Sequence, residues 1–162
     1  MPRLPLFAIG LLALLAGAGP LHARTTIAAY GSWAAFRDAG PLCYAIAQPA
    51  EAPPAGGGAS VAVAWWPGRG IARQLHVRLS RAARPASRVT LSIGDSNFAL
   101  VARGADAWAA DARADAGIAA AMHSGSSMSV SAVGAGGGFA DVYLLRGAAS
   151  AIDAAQLGCI GR

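Results

Sequence analysis

The chain has 162 residues, 55% of them hydrophobic, and a net charge of +5 at pH 7. This length suits one domain with its own core, and it excludes a small scaffold that depends on several disulfides. All thirteen basic residues are arginine, against eight acidic residues. This modest excess of positive charge does not by itself identify a binding partner.

The first 23 residues have the layout of a secretory signal peptide. Arg3 supplies a positive charge, residues 4–15 are apolar, and small residues lead to Ala23. The apolar stretch is shorter than the ~20 residues of a membrane-spanning helix. We therefore predict a signal peptide over 1–23, with cleavage after Ala18 as an alternative, and a single β-sandwich domain over 24–162. The predicted location is the periplasm, with the cell surface or secretion as alternatives, and no transmembrane segment after cleavage.

Cys43 and Cys159 are the only cysteines of the chain. An exported protein meets an oxidising compartment, so we predict a disulfide between them. In the chain-entropy model, such a bond stabilises the fold by roughly 4 to 5 kcal/mol. Neither cysteine has a CxxC partner or a histidine at ligand spacing, so we predict no metal and no cofactor.

The first half of the mature chain contains short apolar runs between turn formers. Pro and Gly dominate residues 48–58 and predict a surface loop there. The predicted elements are strands over 33–36, 42–47 and 59–66, the last ending at Pro67-Gly68.

Alternation is clearest where Leu75, Val77 and Leu79 share one face and polar residues share the other. A period of two predicts a half-buried strand. The predicted elements here are strands over 74–80 and 88–93, a turn over 94–97 and a strand over 98–101.

Helical signals appear only in the last third of the chain. Asp115 is a good N-cap and Gly125 suits the C-terminal end of a helix. Further elements are strands over 128–133 and 139–145 and a helix over 148–157 that ends at Gly158. We predict a mainly β fold: an antiparallel β-sandwich, immunoglobulin-like or an irregular barrel, with two short helices.

Gly94-Asp95-Ser96 is similar to the turn that carries the nucleophile in one lipase and esterase superfamily. That chemistry needs a histidine base, usually with an aspartate three residues before it. The residue three positions before His123 is alanine. A four-residue turn rich in Gly, Asp and Asn is expected in any hairpin and is the better explanation of the motif, so we predict no catalytic residue. A hydrolase using Ser96 with His76 or His123 stays an alternative.

Two other patterns do not amount to sites. The spacing of Asp106, Asp111 and Asp115 lacks the alternating ligands of a calcium loop. The glycine stretches 56–58 and 134–138 lack the residues that follow a phosphate-binding loop.

The segment between Glu51 and Asp95 contains six arginines and no acidic residue. A locally basic face attracts anionic partners, and export makes nucleic acid an unsuitable one. The neighbours Trp65 and Trp66 must point to opposite faces of a strand, which offers one of them as an aromatic contact. The arginines of this predicted anionic-partner surface are Arg69, Arg73, Arg78, Arg81, Arg84 and Arg88.

Several segments taken together resemble the invasion-associated locus B family. They are Trp33-Ala34-Ala35-Phe36, Cys43-Tyr44-Ala45-Ile46-Ala47, Ser92-Ile93-Gly94, Ile118 to Met122 followed by Gly125, and Gly147 to Cys159. The resemblance covers residues 31–159. It implies a small periplasmic or surface β-sandwich protein of a Gram-negative bacterium, in a family linked to host-cell invasion and without established enzymatic activity.

The chain departs from longer members of that family in its cysteines. Phe36-Arg37 stands where they carry a cysteine, and a further cysteine pair before the helix is absent. The expected function is non-enzymatic binding of an envelope component, with an unknown envelope or protein partner. A small periplasmic hydrolase and an assembly factor for outer-membrane proteins are the alternatives.

Overall fold

A computed structural model of the protein describes residues 24–53 and 58–160. The predicted signal peptide and part of the predicted loop 48–58 lie outside these residues. The strands are β1 (Thr25–Tyr30), β2 (Trp33–Arg37), β3 (Cys43–Ala47), β4 (Ser60–Trp66), β5 (Ile71–Arg78), β6 (Val89–Ile93), β7 (Ser96–Arg103), β8 (Asp106–Ala109), β9 (Ser127–Gly134) and β10 (Gly137–Leu144). The helices are α1 (Ala112–Ser124) and α2 (Ala148–Ile160).

The ten strands form one antiparallel sheet in the order β1-β2-β3-β4-β5-β8-β7-β6-β9-β10. The predicted fold class, mainly antiparallel β with two short helices, is thereby confirmed. Most neighbouring strands of the sheet are consecutive in sequence, but β8 lies between β5 and β7. This crossover brings side chains distant in sequence onto adjacent strands.

The predicted alternation is also found in the folded chain. On β5, Leu75 and Val77 are buried while Gln74 and Arg78 are exposed. The buried face of the sheet packs against the helices, with α2 on β1, β2 and β3 and α1 on β5. One face of the sheet therefore forms the core with the two helices.

The sheet curls so that β10 lies against the ends of earlier strands. The Leu144 carbonyl accepts hydrogen bonds from Trp33 Nε1 at 2.8 Å and Ser32 Oγ at 3.2 Å. The Val142 carbonyl accepts one from the Ala50 amide, just beyond β3, at 2.7 Å. These bonds satisfy carbonyls along β10 that have no strand partner on that side.

The start of α1 corrects one prediction, because its N-cap is Asp111 and not Asp115. Asp111 Oδ1 accepts a hydrogen bond from the Ala114 amide at 2.8 Å. Asp115 lies within the helix and is buried, and its Oδ1 accepts from the Leu75 amide of β5 at 2.7 Å. A tertiary hydrogen bond thus outweighs the local capping preference of this aspartate.

The end of α2 corrects another prediction, since the helix continues through Gly158 to Ile160. A Cβ at Gly158 would stand 2.6 Å from Ile27 Cδ1. This glycine therefore serves the close approach of α2 to β1, and it does not end the helix. Within the described residues, neither helix is both long and apolar enough to span a membrane.

Candidate functional site

Cys43 on β3 and Cys159 near the end of α2 form a disulfide with a Cα–Cα distance of 5.8 Å. This confirms the predicted pair. The bond joins α2 to the central part of the sheet across 116 residues of sequence. It therefore fixes α2 over the buried face of the sheet.

All six arginines of the predicted anionic-partner surface are exposed. They do not form one cluster, however. Arg73 and Arg78 lie five residues apart on β5, which is about 17 Å along an extended strand. Arg69 and Arg73 lie at one end of β5. Arg78 lies at its other end, where Arg81, Arg84 and Arg88 follow in the segment that leads to β6.

The immediate partners of these arginines differ. Arg78 Nη1 lies 2.9 Å from Asp106 Oδ2. It is the only one of the six with a carboxylate within 4 Å in the part of the chain that the structure describes. The guanidinium of Arg69 lies 3.8 Å from the centre of the Trp66 ring, and that of Arg81 lies 4.6 Å from that of Phe139. Stacking on a ring orients these cations without neutralising them.

The two neighbouring tryptophans take opposite positions, as alternation requires. Trp65 is 6% exposed and belongs to the core, so the prediction that it could contribute to an aromatic contact surface is wrong. Trp66 lies on the outer face and is only partly buried. Of the predicted aromatic pair, only Trp66 is available to a partner.

Sequence analysis missed a cluster on the outer face, built around Asp106 and Trp108 of β8. His76 Nε2 lies 3.0 Å from Asp106 Oδ1, and the imidazole ring lies 5.3 Å from the Trp108 ring. The strand itself went unpredicted because it has only four residues. Its residues, Asp-Ala-Trp-Ala, contain a single polar side chain and show no alternation that could have indicated a strand.

The carboxyl group of Asp106 is held in its charged form. Burial raises its pKa, but the hydrogen bonds and charges of His76 and Arg78 outweigh that effect and lower the pKa below its ordinary value. The carboxylate therefore stays ionised and keeps both partners in place.

Ser96 and His76 are far apart. His76 pairs with Trp108, Trp108 with Val101, and Ser96 begins β7 five residues before Val101. Two strand spacings and five residues along a strand give a separation of roughly 19 Å. His123 has Asp153 as its neighbour, at 3.8 Å. No hydrogen bond joins Ser96 to either histidine among the described residues, so the geometry gives the hydrolase alternative no support.

A cleft of about 660 Å³ lies between the chain after β3, Ser80-Arg81 and β10. Its polar groups include Glu51, Arg81 and Asp141. Asp141 is buried and accepts a hydrogen bond from the Ser80 amide at 2.9 Å, which gives it a structural role. Across the described ranges, no three His, Cys, Asp or Glu side chains gather as metal ligands would.

Comparisons with protein-family models, with curated proteins and with solved structures found no match to this chain. The resemblance to the invasion-associated locus B family therefore stays a prediction.

Proposed function

We propose that this protein is a non-enzymatic, periplasmic or envelope-associated binding protein of the invasion-associated locus B type. Its ligand is an anionic component of the cell envelope, and its contact surface is the arginine-bearing segment 69–88, which includes β5. The single observation that carries the proposal is the state of the six arginines between Arg69 and Arg88. All are exposed, and among the described residues only Arg78 has a carboxylate partner.

The charge of this region favours an anionic partner for a simple electrostatic reason. An exposed arginine that is already paired within the protein gains little from a second carboxylate or phosphate, whereas an unpaired one offers its full charge and a bidentate hydrogen-bonding fork. Among the residues that the structure describes, five of the six arginines have no carboxylate partner. Their summed field attracts anions before contact is made.

The disulfide supports the proposed location. Disulfides persist in oxidising compartments such as the bacterial periplasm and are rare in the cytosol. The Cys43–Cys159 bond links β3 to the last turn of α2. It suits a protein that works outside the cytosol, which is also what the predicted signal peptide implies.

The test measures binding of the purified mature protein to phosphatidylglycerol vesicles and to lipopolysaccharide, with neutral phosphatidylcholine vesicles as reference. We expect binding to the two anionic probes that weakens steeply as salt is raised. The double variant Arg84→Glu/Arg88→Glu should weaken it at least ~10-fold, because two attractive contacts become repulsive. Arg113→Glu, at an exposed arginine of α1, makes the same kind of charge change elsewhere and should have little effect.

Binding to neither anionic probe above the neutral reference would overturn the proposal. A loss of binding free energy in the Arg113 variant that is half that of the double variant or more would also overturn it. The single variant reverses half as many charges, so only net charge and no particular surface would then matter.

A further inference from the structure

The outer face of β5, β8 and β7 carries a second group of side chains in register, which we call the outer patch: His76, Arg78, Val101, Arg103, Asp106 and Trp108. His76 faces Trp108, and Trp108 faces Val101. In the adjacent row, Asp106 lies between Arg78 and Arg103. Side chains opposite one another on antiparallel strands lie about 5 Å apart, so the six form one contiguous surface.

The outer patch is organised before any ligand arrives. Asp106 accepts hydrogen bonds from Arg78 at 2.9 Å and lies 3.0 Å from His76. The imidazole in turn lies against Trp108. These contacts hold the aromatic ring and one guanidinium in fixed positions, which lowers the entropy that a ligand must overcome on binding.

The patch is nevertheless open to solvent. Val101 is 59% exposed, although its side chain is apolar and lies directly beside Trp108. Arg103 is exposed and has no carboxylate within 4 Å among the residues that the structure describes. Two arginines against one aspartate give one row of the patch a positive balance, while Trp108 and Val101 give the other row an aromatic and aliphatic surface beside His76.

We infer that the outer patch binds an acidic saccharide, with the sugar ring against Trp108 and Val101 and the acidic group on Arg103. This inference rests on the proposed function and narrows its ligand to one chemical class. An aromatic side chain at a binding surface offers an apolar face and loses little conformational entropy when a ligand binds. The guanidinium fork matches a carboxylate or phosphate.

The shape of the patch favours a saccharide over a lipid chain. An acyl chain needs an enclosed apolar pocket that buries most of its surface. The outer patch is instead an open sheet face in which polar groups border the Trp108 ring. The C–H face of a sugar ring, edged with hydroxyl and acidic groups, is complementary to that arrangement.

The experiment titrates the full mature protein with oligogalacturonate by calorimetry and uses the methyl-esterified oligomer as the uncharged control. We expect binding of the acid form and at least tenfold weaker binding of the ester. Val101→Glu and Arg103→Glu should each weaken acid binding tenfold or more, because both positions are exposed and the new charge repels the ligand. Trp66→Ala removes a partly exposed tryptophan ring that lies against Arg69, outside the outer patch, and should leave binding unchanged.

Retention of binding in Val101→Glu, loss of binding in Trp66→Ala, or equal binding of acid and ester would each overturn the inference. Failure of the wild type to bind oligogalacturonate would overturn it as well. If phosphatidylglycerol vesicles or lipopolysaccharide still bound in that case, the proposed function would stand without this inference. If no anionic probe bound, both would fall.

Discussion

Asp115 is a buried carboxylate that ties α1 to β5. It is 9% exposed, and its Oδ1 accepts the Leu75 amide hydrogen bond at 2.7 Å. Burial raises its pKa, the hydrogen bond from Leu75 lowers it and the charge of Asp111 raises it, so that the net pKa is above its ordinary value. The residue therefore fixes the position of α1 on β5, at the free-energy cost of burying a carboxyl group.

Replacing this carboxylate separates its two effects. Asp115→Ala leaves the buried Leu75 amide without an acceptor, which should lower the free energy of unfolding by about 1 to 3 kcal/mol. Asp115→Asn keeps an acceptor oxygen and should cost much less. Urea unfolding measures both, and Asp111→Ala, which removes only the helix cap, should cost about 1 kcal/mol. A cost for alanine no larger than for asparagine would show that the hydrogen bond is unimportant.

The raised pKa of Asp115 also predicts a pH dependence. The folded state holds this proton more tightly than the unfolded chain, so the group favours folding below its unfolded pKa, ordinarily 3.8. That contribution is lost as pH rises through the folded pKa. Asp115→Asn removes it, so the stability of the variant relative to wild type should improve between acid and neutral pH. Urea unfolding of both proteins across that range tests the sign, and a constant difference would contradict it.

At the scale of elements, two glycines let the turn between β1 and β2 meet the start of α2. Gly147 has φ +93° and a Cβ there would overlap the carbonyl oxygen of Tyr30. Gly31 has φ +58° and faces the backbone carbonyl of Arg146 in the same way. No larger residue fits either position, because the obstacle is backbone and cannot rotate away.

Gly147→Ala should therefore be strongly destabilising, beyond the usual cost of a left-handed residue. Gly104→Ala is the matched control, since Gly104 has φ +63° with open space around it. The control should lose only the ~1–2 kcal/mol of left-handed backbone strain. Thermal unfolding compares the two variants, and equal melting temperatures would refute the close approach as the cause.

Local pattern predicted some elements well and others not at all. Apolar and polar residues alternate around Leu75 in β5 and around Leu91 in β6. Burial of one face of each strand explains this alternation, which is why both strands could be predicted. β1 was missed because its exposed edge position imposes no alternation. The start of α1 was misplaced because Asp115, which resembles a helix cap in the sequence, instead accepts a hydrogen bond from the Leu75 amide of β5. Such partners have no signature within a short window of sequence.

At the scale of the whole molecule, the disulfide should account for a large share of stability. Replacing Cys43 and Cys159 together by alanine should lower the free energy of unfolding by about 2 to 5 kcal/mol. Reduced wild type should unfold at nearly the same urea concentration as the double variant. A reduced protein as stable as the oxidised one would contradict the prediction, and mass spectrometry after thiol labelling confirms the redox state of each sample.

Sheet order was the part of the fold least visible in the sequence. Alternation tells which side chains share a face, but it does not tell which strands are neighbours. β8 lies between β5 and β7, and this order alone brings His76 beside Trp108 and Asp106 beside Arg78. The disulfide and the exposed arginines were predictable from composition and spacing, whereas the outer patch required the topology.

The separation of 116 residues between the bonded cysteines has a consequence for the newborn chain. Cys43 is made early and its partner belongs to the last helix, so the sulfur of Cys43 must wait as a lone nucleophile while most of the polypeptide is still emerging. During that interval, a small-molecule disulfide can exchange with it, and an oxidant can join it to Cys43 of another copy. Correct maturation thus depends on α2 arriving before Cys43 is oxidised, and oxidation of Cys43 before that point yields a mixed disulfide or a crosslinked dimer.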